Sequence, residues 1–362
     1  MNKVNTGIKY QLLNERRRGR IFPYQYRNCP EPRMLNRTPY KEDLSGMTTK
    51  DKNKHLYRNT GEFVSMCSIG FEVEKTGFSR ECIENSELFS RCDDQVIETI
   101  FFNKLETDSS CGTEGVSNIL PLIPKGRWRN KIFSLMKEAE CIIDDRFSPS
   151  DKSCGGHTTI GVRGMTGNTL NKRIRLFSGF VMSLYKRRMS NNYCGHNLRM
   201  DVDNNYSFVS PRPHGTWLNR EQQMRDTNRR NSKYQFCLVK PSSRGQRDLI
   251  EFRVVPRFKS VKEMIRRYEF FYELVNHIIE DENVSCVDGV FVRHGNSFGK
   301  LWRKIKPIVQ RMFPNDDQRV KDVYTDSKHF QRFIDSGIIS NRVRKWICPT
   351  QTEWSERIGI DL

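Results

Sequence analysis

Alternation of apolar and polar residues over Met66–Glu74 predicts a β-strand. In an extended chain successive side chains point to opposite faces. One face then holds Cys67, Ile69, Phe71 and Val73, and the other holds Ser68, Gly70, Glu72 and Glu74. Glu72 and Glu74 lie two residue rises apart, about 6.5–7 Å, where carboxylates repel each other unless cations lie between them. A solvated edge strand can show the same pattern, so later segments must decide its meaning.

Five further segments have the composition of strands. Val96–Phe102 is rich in β-formers, and a turn at 108–110 leads into a strand with Glu114 on one face. Gly155 and Gly156 precede a short strand that places His157 and Thr159 together. A hairpin is predicted from two segments joined by residues 241–247, namely Tyr234–Lys240 and Asp248–Val255. In its second strand Glu251 and Arg253 share the face opposite Ile250, Phe252 and Val254.

Helical periodicity predicts the layer that covers this sheet. A capping box at Ser260–Glu263 opens a long helix that reaches about Ile279. The other predicted helices span Trp128 to Ile143, Asn168 to about Met189, Leu301 to Phe313 with a bend near Pro307, and Asp326 to Asp335 closed by Gly337. The fold class is therefore α+β.

Composition divides the chain into three parts. Residues 1–60 are rich in Asn, Arg, Lys and Pro, which predicts a basic, extended or partly ordered arm. Residues 61–285 contain the predicted sheet, and 286–362 form a C-terminal helical extension. The polar stretch 201–233 is predicted to be a long active-site loop, in which Arg229 and Arg230 lie.

Charge and cysteine content restrict the setting. Lys and Arg exceed Asp and Glu by 62 to 43, a net charge of +19, which favours a polyanionic partner such as nucleic acid, nucleotide phosphates or an acidic polymer. The eleven cysteines are scattered without a Cys-x-x-Cys pair, which predicts reduced thiols. With no long apolar run and no secretory signal, we expect a cytoplasmic protein without a membrane partner.

The charged faces of the predicted strands carry a recurring set of side chains. These are Glu72, Glu74, Glu114, His157 and Glu251, with Arg253 beside the last. Carboxylate oxygens suit Mg²⁺ or Mn²⁺, and a single imidazole does not overturn that preference. Arg253 would bind phosphate or carboxylate oxygens in a bidentate manner. The pattern therefore predicts a divalent-metal platform on one face of a sheet.

The order of these motifs resembles the amidoligase family of the glutamine synthetase and glutamate–cysteine ligase superfamily. The matching segments are Gly70-Phe71-Glu72-Val73-Glu74, Asp108-Ser109-Ser110 with Gly112-Thr113-Glu114, Cys154-Gly155-Gly156-His157, and Glu251-Phe252-Arg253. They cover roughly residues 66–280. Two positions depart from the family pattern, because Ser109 replaces a usual Gly and Thr158-Thr159 follow His157 where a second His is common.

The resemblance implies a fold, a reaction and a set of roles. The fold would be a curved, mostly antiparallel sheet backed by helices, with residues 61–285 as the catalytic domain. ATP and Mg²⁺ or Mn²⁺ would support amide-bond formation between a carboxylate donor and an amine acceptor through an acyl phosphate. Metal ligands would be Glu72, Glu74, Glu114, His157 and Glu251, catalytic residues would be Glu72, Glu251 and Arg253, and nucleotide contacts would be Thr159, Arg229 and Arg230. The net charge suggests an acidic peptide or polymer as donor.

Two other functions remain open on the sequence. A carboxylate and histidine cluster on a basic protein is compatible with a metal-dependent nuclease, in which the positive charge would hold nucleic acid. It is also compatible with a non-catalytic basic protein that binds nucleic acid. Mg²⁺-dependent DNA cleavage without ATP would favour the first, and salt-sensitive binding to nucleic acid without any nucleotide binding would favour the second.

Overall fold

The computed structural model describes residues 67–74, 90–93, 96–98, 101–108, 112–117, 120–143, 154–162, 165–189, 198–200, 206–208, 236–240, 249–336 and 340–347. The predicted N-terminal arm lies outside these ranges. Arg229 and Arg230 also lie outside them, as does most of the predicted active-site loop.

The centre of the described fold is an antiparallel sheet, as the sequence predicted. The described strands are Cys67–Glu74 (β1), Ser90–Asp93 (β2), Val96–Glu98 (β3), Phe102–Asp108 (β4), Gly112–Ser117 (β5), Leu120–Pro121 (β6), Thr158–Val162 (β7), Leu198–Met200 (β8), Tyr206–Phe208 (β9), Cys237–Lys240 (β10), Leu249–Phe252 (β11), Val284–Val287 (β12) and Val290–Arg293 (β13). Among them, seven form one sheet in the order β10, β11, β7, β1, β5, β4, with β6 also paired to β1. The pairs β2–β3, β8–β9 and β12–β13 form three two-stranded sheets.

The register of the sheet separates a polar front from an apolar back. Gly70 pairs with Thr159, and Thr159 pairs with Glu251, so these three residues form a row across β1, β7 and β11. The neighbouring row, which contains Phe71 and Phe252, points the other way because side chains alternate along each strand. The predicted apolar face of β1 is confirmed, since all four of its side chains are buried in the core.

Helices supply the rest of the core. The α-helices within the described residues are Arg127–Leu135 (α1), Glu140–Ile143 (α2), Gly167–Arg175 (α3), Ser178–Leu184 (α4), Val261–Ile279 (α5), Ser297–Met312 (α6), Asp317–Ser336 (α7) and Asn341–Ile347 (α8). The capping box prediction is confirmed for α5, because Ser260 Oγ accepts a hydrogen bond from Glu263 N at 3.2 Å. On α5 Phe271 packs against Phe252, with ring centroids 4.8 Å apart. This helix therefore covers the back of the sheet.

The prediction of one helix from Asn168 to Met189 is wrong, because this segment forms two separate helices, α3 and α4. The N-cap of α3 is Thr166, whose side chain accepts a hydrogen bond from Thr169 N. The helical hydrogen bonding is interrupted between α3 and α4. At the break the Gln331 side chain of α7 accepts from Gly179 N at 3.0 Å and donates to Arg175 O at 3.1 Å. These two backbone groups stand four residues apart and would otherwise bond to each other within one helix. The inserted amide explains the break.

Other predicted boundaries also moved. The stripe from Trp128 to Ile143 forms α1, a 3₁₀ turn and α2 rather than one helix, and α6 and α7 begin at Ser297 and Asp317, earlier than predicted. Val96–Phe102 is not one strand, since β3 ends at Glu98 and β4 begins at Phe102. These shifts are common at element ends, where tertiary contacts decide which backbone groups pair.

Three short hairpins were not predicted, and the first of them pairs Ser90–Asp93 with Val96–Glu98. Tyr206–Phe208 pairs with Leu198–Met200, so part of the expected loop over 201–233 is a strand. The hairpin of β12 and β13 turns at Asp288 and Gly289, both of which have positive φ. An Asp-Gly pair between two apolar segments is a hairpin signal that the sequence carried.

Candidate metal centre

Three of the predicted ligands come together on the front of the sheet. His157 Nδ1 lies 2.7 Å from Glu72 Oε2 and 2.9 Å from Glu74 Oε1. One possible ligand atom from each of the three residues lies within 4.8 Å of the other two. Among the described residues, this is the one group of three or more His, Cys, Asp and Glu side chains with such proximity. The three residues therefore share one face of the sheet, as the strand pattern predicted.

The two glycines before His157 make this approach feasible. Gly155 N donates a hydrogen bond to Glu74 Oε2 at 2.6 Å, and a Cβ at Gly155 would lie 2.5 Å from His157 Nε2. A Cβ at Gly156 would lie 2.6 Å from Pro256 O. Both distances are far below van der Waals contact, so any larger residue would displace the imidazole or the Pro256 backbone. The two glycines predicted a place where a ligand could come close to the backbone. In the structure the His157 imidazole and the Pro256 carbonyl fill the space beside them.

Glu251 and Arg253 form the second half of the site, together with a lysine that the sequence reasoning missed. Arg253 donates to Glu251 Oε1 at 2.7 Å. Lys240 Nζ donates to Glu72 Oε1 at 2.8 Å and forms an ion pair with Glu251 Oε2. Lys240 thus links the two halves. Its signal in the sequence was weak, because only the register Leu238 to Glu251 places Lys240 diagonally across from the carboxylate.

Burial and charge act against each other throughout this cluster. Burial favours the neutral form of Glu72, yet Lys240 and His157 outweigh it and hold the pKa of Glu72 well below its ordinary value. Burial lowers the pKa of His157, but its contacts with Glu72 and Glu74 raise it to about 9. The pKa values of Lys240 and Arg253 are raised because attraction to Glu251 and Glu72 outweighs their desolvation. Glu72, His157, Lys240 and Arg253 are therefore charged around neutral pH in the metal-free protein.

Glu114 and Thr159 lie next to the cluster. Glu114 is buried and pairs with Glu74 across β1 and β5, so the two residues share the front face. Its carboxylate is outside the group formed by Glu72, Glu74 and His157. Thr159 is half-buried between Gly70 and Glu251 in the same front row.

The donor set around His157 fits a divalent cation. Two carboxylates and an imidazole nitrogen supply three ligand atoms of the type that Mg²⁺ and Mn²⁺ accept. The same imidazole Nδ1 faces both carboxylates, so its lone pair points into the space that they enclose once the Nδ1 proton is displaced. The structure thus contains a possible acidic metal site at Glu72, Glu74 and His157.

Two features bear on the setting of this site. None of Cys67, Cys154, Cys237 and Cys286 is in a disulfide, which agrees with the predicted reduced thiols. Within the described part of the chain, no helix is both long enough and apolar enough to cross a membrane.

Comparison with known proteins gives a distant match. No protein-family model matches the chain, and no curated protein matches it. Among solved structures, it is similar to a bifunctional glutathione synthetase from Pasteurella multocida, with 10% sequence identity and a TM-score of 0.29. The alignment covers 80% of this chain and 52% of the other, so the chain spans about half the length of that protein.

Proposed function

We propose that this protein is an ATP-dependent carboxylate–amine ligase with a glutamine synthetase-like catalytic domain. The observation that carries the proposal is the arrangement on the front of the sheet. A possible metal site at Glu72, Glu74 and His157 lies directly beside the cations Lys240 and Arg253. The order of the sequence motifs, which resembles the amidoligase family, supports the same reaction.

The balance of charge explains why this arrangement suits a polyphosphate. The three carboxylates Glu72, Glu74 and Glu251 face only two permanent cations, Lys240 and Arg253, in the described structure. A divalent cation held by Glu72, Glu74 and His157 would supply positive charge that neutralises phosphate oxygens of ATP. With it, and with His157 neutral as a ligand, the cluster changes from formally neutral to net positive, which favours binding of an anionic nucleotide.

The protein's own residues would then position the reactants. Arg253 would hold the transferring phosphoryl group, since a guanidinium presents paired donors to its oxygens. Glu251 holds that guanidinium in place through its 2.7 Å contact. The carboxylate donor would attack the γ-phosphorus of ATP, form the acyl phosphate and release ADP. The amine would then attack the carbonyl carbon of the acyl phosphate, so that the C–N bond forms, inorganic phosphate leaves and the nitrogen loses a proton. Thr159, Arg229 and Arg230 remain predicted nucleotide contacts, and Glu114 remains a predicted ligand.

The substrate class follows from charge alone. A net charge of +19 suits an acidic peptide or polymer as carboxylate donor. The amine acceptor must reach the same face of the sheet. A cytoplasmic location would supply the ATP that the reaction consumes.

The test is ADP release by the full-length protein with ATP and Mg²⁺, against a panel of carboxylates and amines. We expect release that depends on both substrates and falls by about 10²-fold or more in Glu72→Gln and Glu251→Gln, because the first change weakens the metal site and the second weakens the contact that holds Arg253. Glu282→Gln is the matched control, since this glutamate is exposed and distant in sequence from the site motifs. It should retain the rate of the wild type.

Other outcomes would contradict the proposal. Mg²⁺-dependent DNA cleavage without ATP would instead identify a nuclease. Absence of nucleotide binding, together with salt-sensitive binding to DNA or RNA, would indicate a non-catalytic nucleic-acid-binding protein.

A further inference from the structure

The carboxylate oxygens of the site divide between two cation positions. At the first position, Glu72 Oε2 and Glu74 Oε1 face His157 Nδ1. At the second, Glu72 Oε1 and Glu251 Oε2 face Lys240 Nζ. Glu72 is shared, with one oxygen in each position. The site therefore has the layout of two adjacent cation positions bridged by a single carboxylate.

The two positions differ in what a metal ion would have to displace. At the first position a metal would displace only the Nδ1 proton that lies between the two carboxylates, and the imidazole nitrogen that is left has a lone pair and becomes a ligand, so the metal gains a donor. An ammonium has three donors and no lone pair while it is charged, so Lys240 cannot become a ligand. A metal at the second position would have to expel the lysine from both carboxylates.

The remaining contacts hold the second position in this state. Glu251 is fully buried, and its other oxygen accepts from Arg253. Loss of the lysine would leave this carboxylate with Arg253 alone, and a buried charge that loses a partner is strongly destabilised. The side chain of Lys240 extends from the end of β10, where the register with β11 fixes its backbone next to Leu249.

We propose that the centre binds one divalent cation, at Glu72, Glu74 and His157, and that Lys240 serves as a built-in cation at the second position. This inference rests on the proposed function and refines its cofactor content, since the motif resemblance by itself implies two or three ions. In the proposed reaction Lys240 and Arg253 replace a second metal as the charges that face the phosphate oxygens. Lys240 is thus a positioning residue that determines metal stoichiometry.

The test counts bound Mn²⁺ by electron paramagnetic resonance of the free ion, using the full-length protein without nucleotide. We expect one Mn²⁺ per chain in the wild type and two in Lys240→Met, which keeps a flexible, unbranched side chain one atom shorter than lysine and removes its charge. Lys300→Met is the matched control, because this lysine is exposed on α6, and it should bind one ion. Two or more ions in the wild type, or no added ion in Lys240→Met, would overturn the inference.

A second variant keeps the test decisive if Lys240→Met does not fold, as judged by circular dichroism. Glu251→Gln should still bind one Mn²⁺ with an affinity within about threefold of wild type, since Glu251 is outside the proposed metal position. Loss of a residue that supports a metal ligand typically lowers metal affinity by about 10–100-fold, so the two cases can be told apart. Loss of the bound ion in this variant would overturn the inference.

The two proposals fail in different ways. Two ions in the wild type would leave the ligase proposal intact, whereas one ion without ATP-dependent turnover would refute the ligase and keep this stoichiometry.

Discussion

The histidine of the metal centre should make the stability of the metal-free protein depend on pH. His157 is buried and faces the carboxylates Glu72 and Glu74. The positive charge of Arg253, which follows directly after β11, lowers the pKa of His157. Burial lowers its pKa and the carboxylates raise it, with a net rise from 6.5 to about 9. In the folded protein the imidazole therefore stays protonated well above neutral pH.

The sign and the size of the effect follow from linkage. Because the folded pKa of His157 is the higher one, protonation stabilises the folded state fully below the unfolded value of 6.5, and this contribution disappears as pH rises through about 9. At about 1.4 kcal/mol per pKa unit, the rise amounts to about 3 kcal/mol at 25 °C. This is a large share of the stability of an ordinary domain.

The measurement is urea unfolding of the full-length protein in EDTA, at intervals from pH 6 to pH 9.5, for the wild type and for His157→Asn. Asparagine places an amide nitrogen near the position of Nδ1 but does not titrate, so the difference between the two proteins cancels the titration of other groups. We expect this difference in unfolding free energy to fall by about 3 kcal/mol across the range. A difference that stays constant with pH would refute the assigned protonation state of His157.

Two further predictions concern the packing that supports the site. Gln331→Leu should lower the unfolding free energy by about 2–4 kcal/mol in urea unfolding, because it removes the side-chain partners of Gly179 N and Arg175 O inside the protein. A loss below about 0.5 kcal/mol, which is typical of surface sites, would show that these two backbone groups bond to each other once the Gln331 amide is absent. Tyr268→Phe should cost about 1–3 kcal/mol in the same assay, since the buried tyrosine hydroxyl accepts a hydrogen bond from Ile123 N. An unchanged midpoint for Tyr268→Phe would show that water replaces the hydroxyl.

The sequence determined those features that depend on local periodicity and capping. The alternation in β1 separated Glu72 from its buried neighbours without knowledge of any partner strand. Ser260 and Glu263 likewise set the start of α5, because their hydrogen bond joins residues only three positions apart. Such signals are legible in one segment, since each involves side chains that the backbone geometry of that segment already brings together.

The sequence also predicted which side chains meet at the centre of the site. Glu72, Glu74 and His157 were predicted on one face, and the structure brings their ligand atoms within 4.8 Å of one another. The roles of Glu114, Glu251 and Arg253 stay predictions, although all three lie on or beside that face.

Only the tertiary structure decided which charges meet. Lys240 and Glu72 are distant along the chain, and their 2.8 Å contact exists because β11 and β7 lie between β10 and β1 in the sheet. The break between α3 and α4 has the same origin, since Gln331 comes from α7. No periodicity within a segment encodes such contacts, because they depend on strand order, register and helix packing, which the whole chain fixes through the burial of its core.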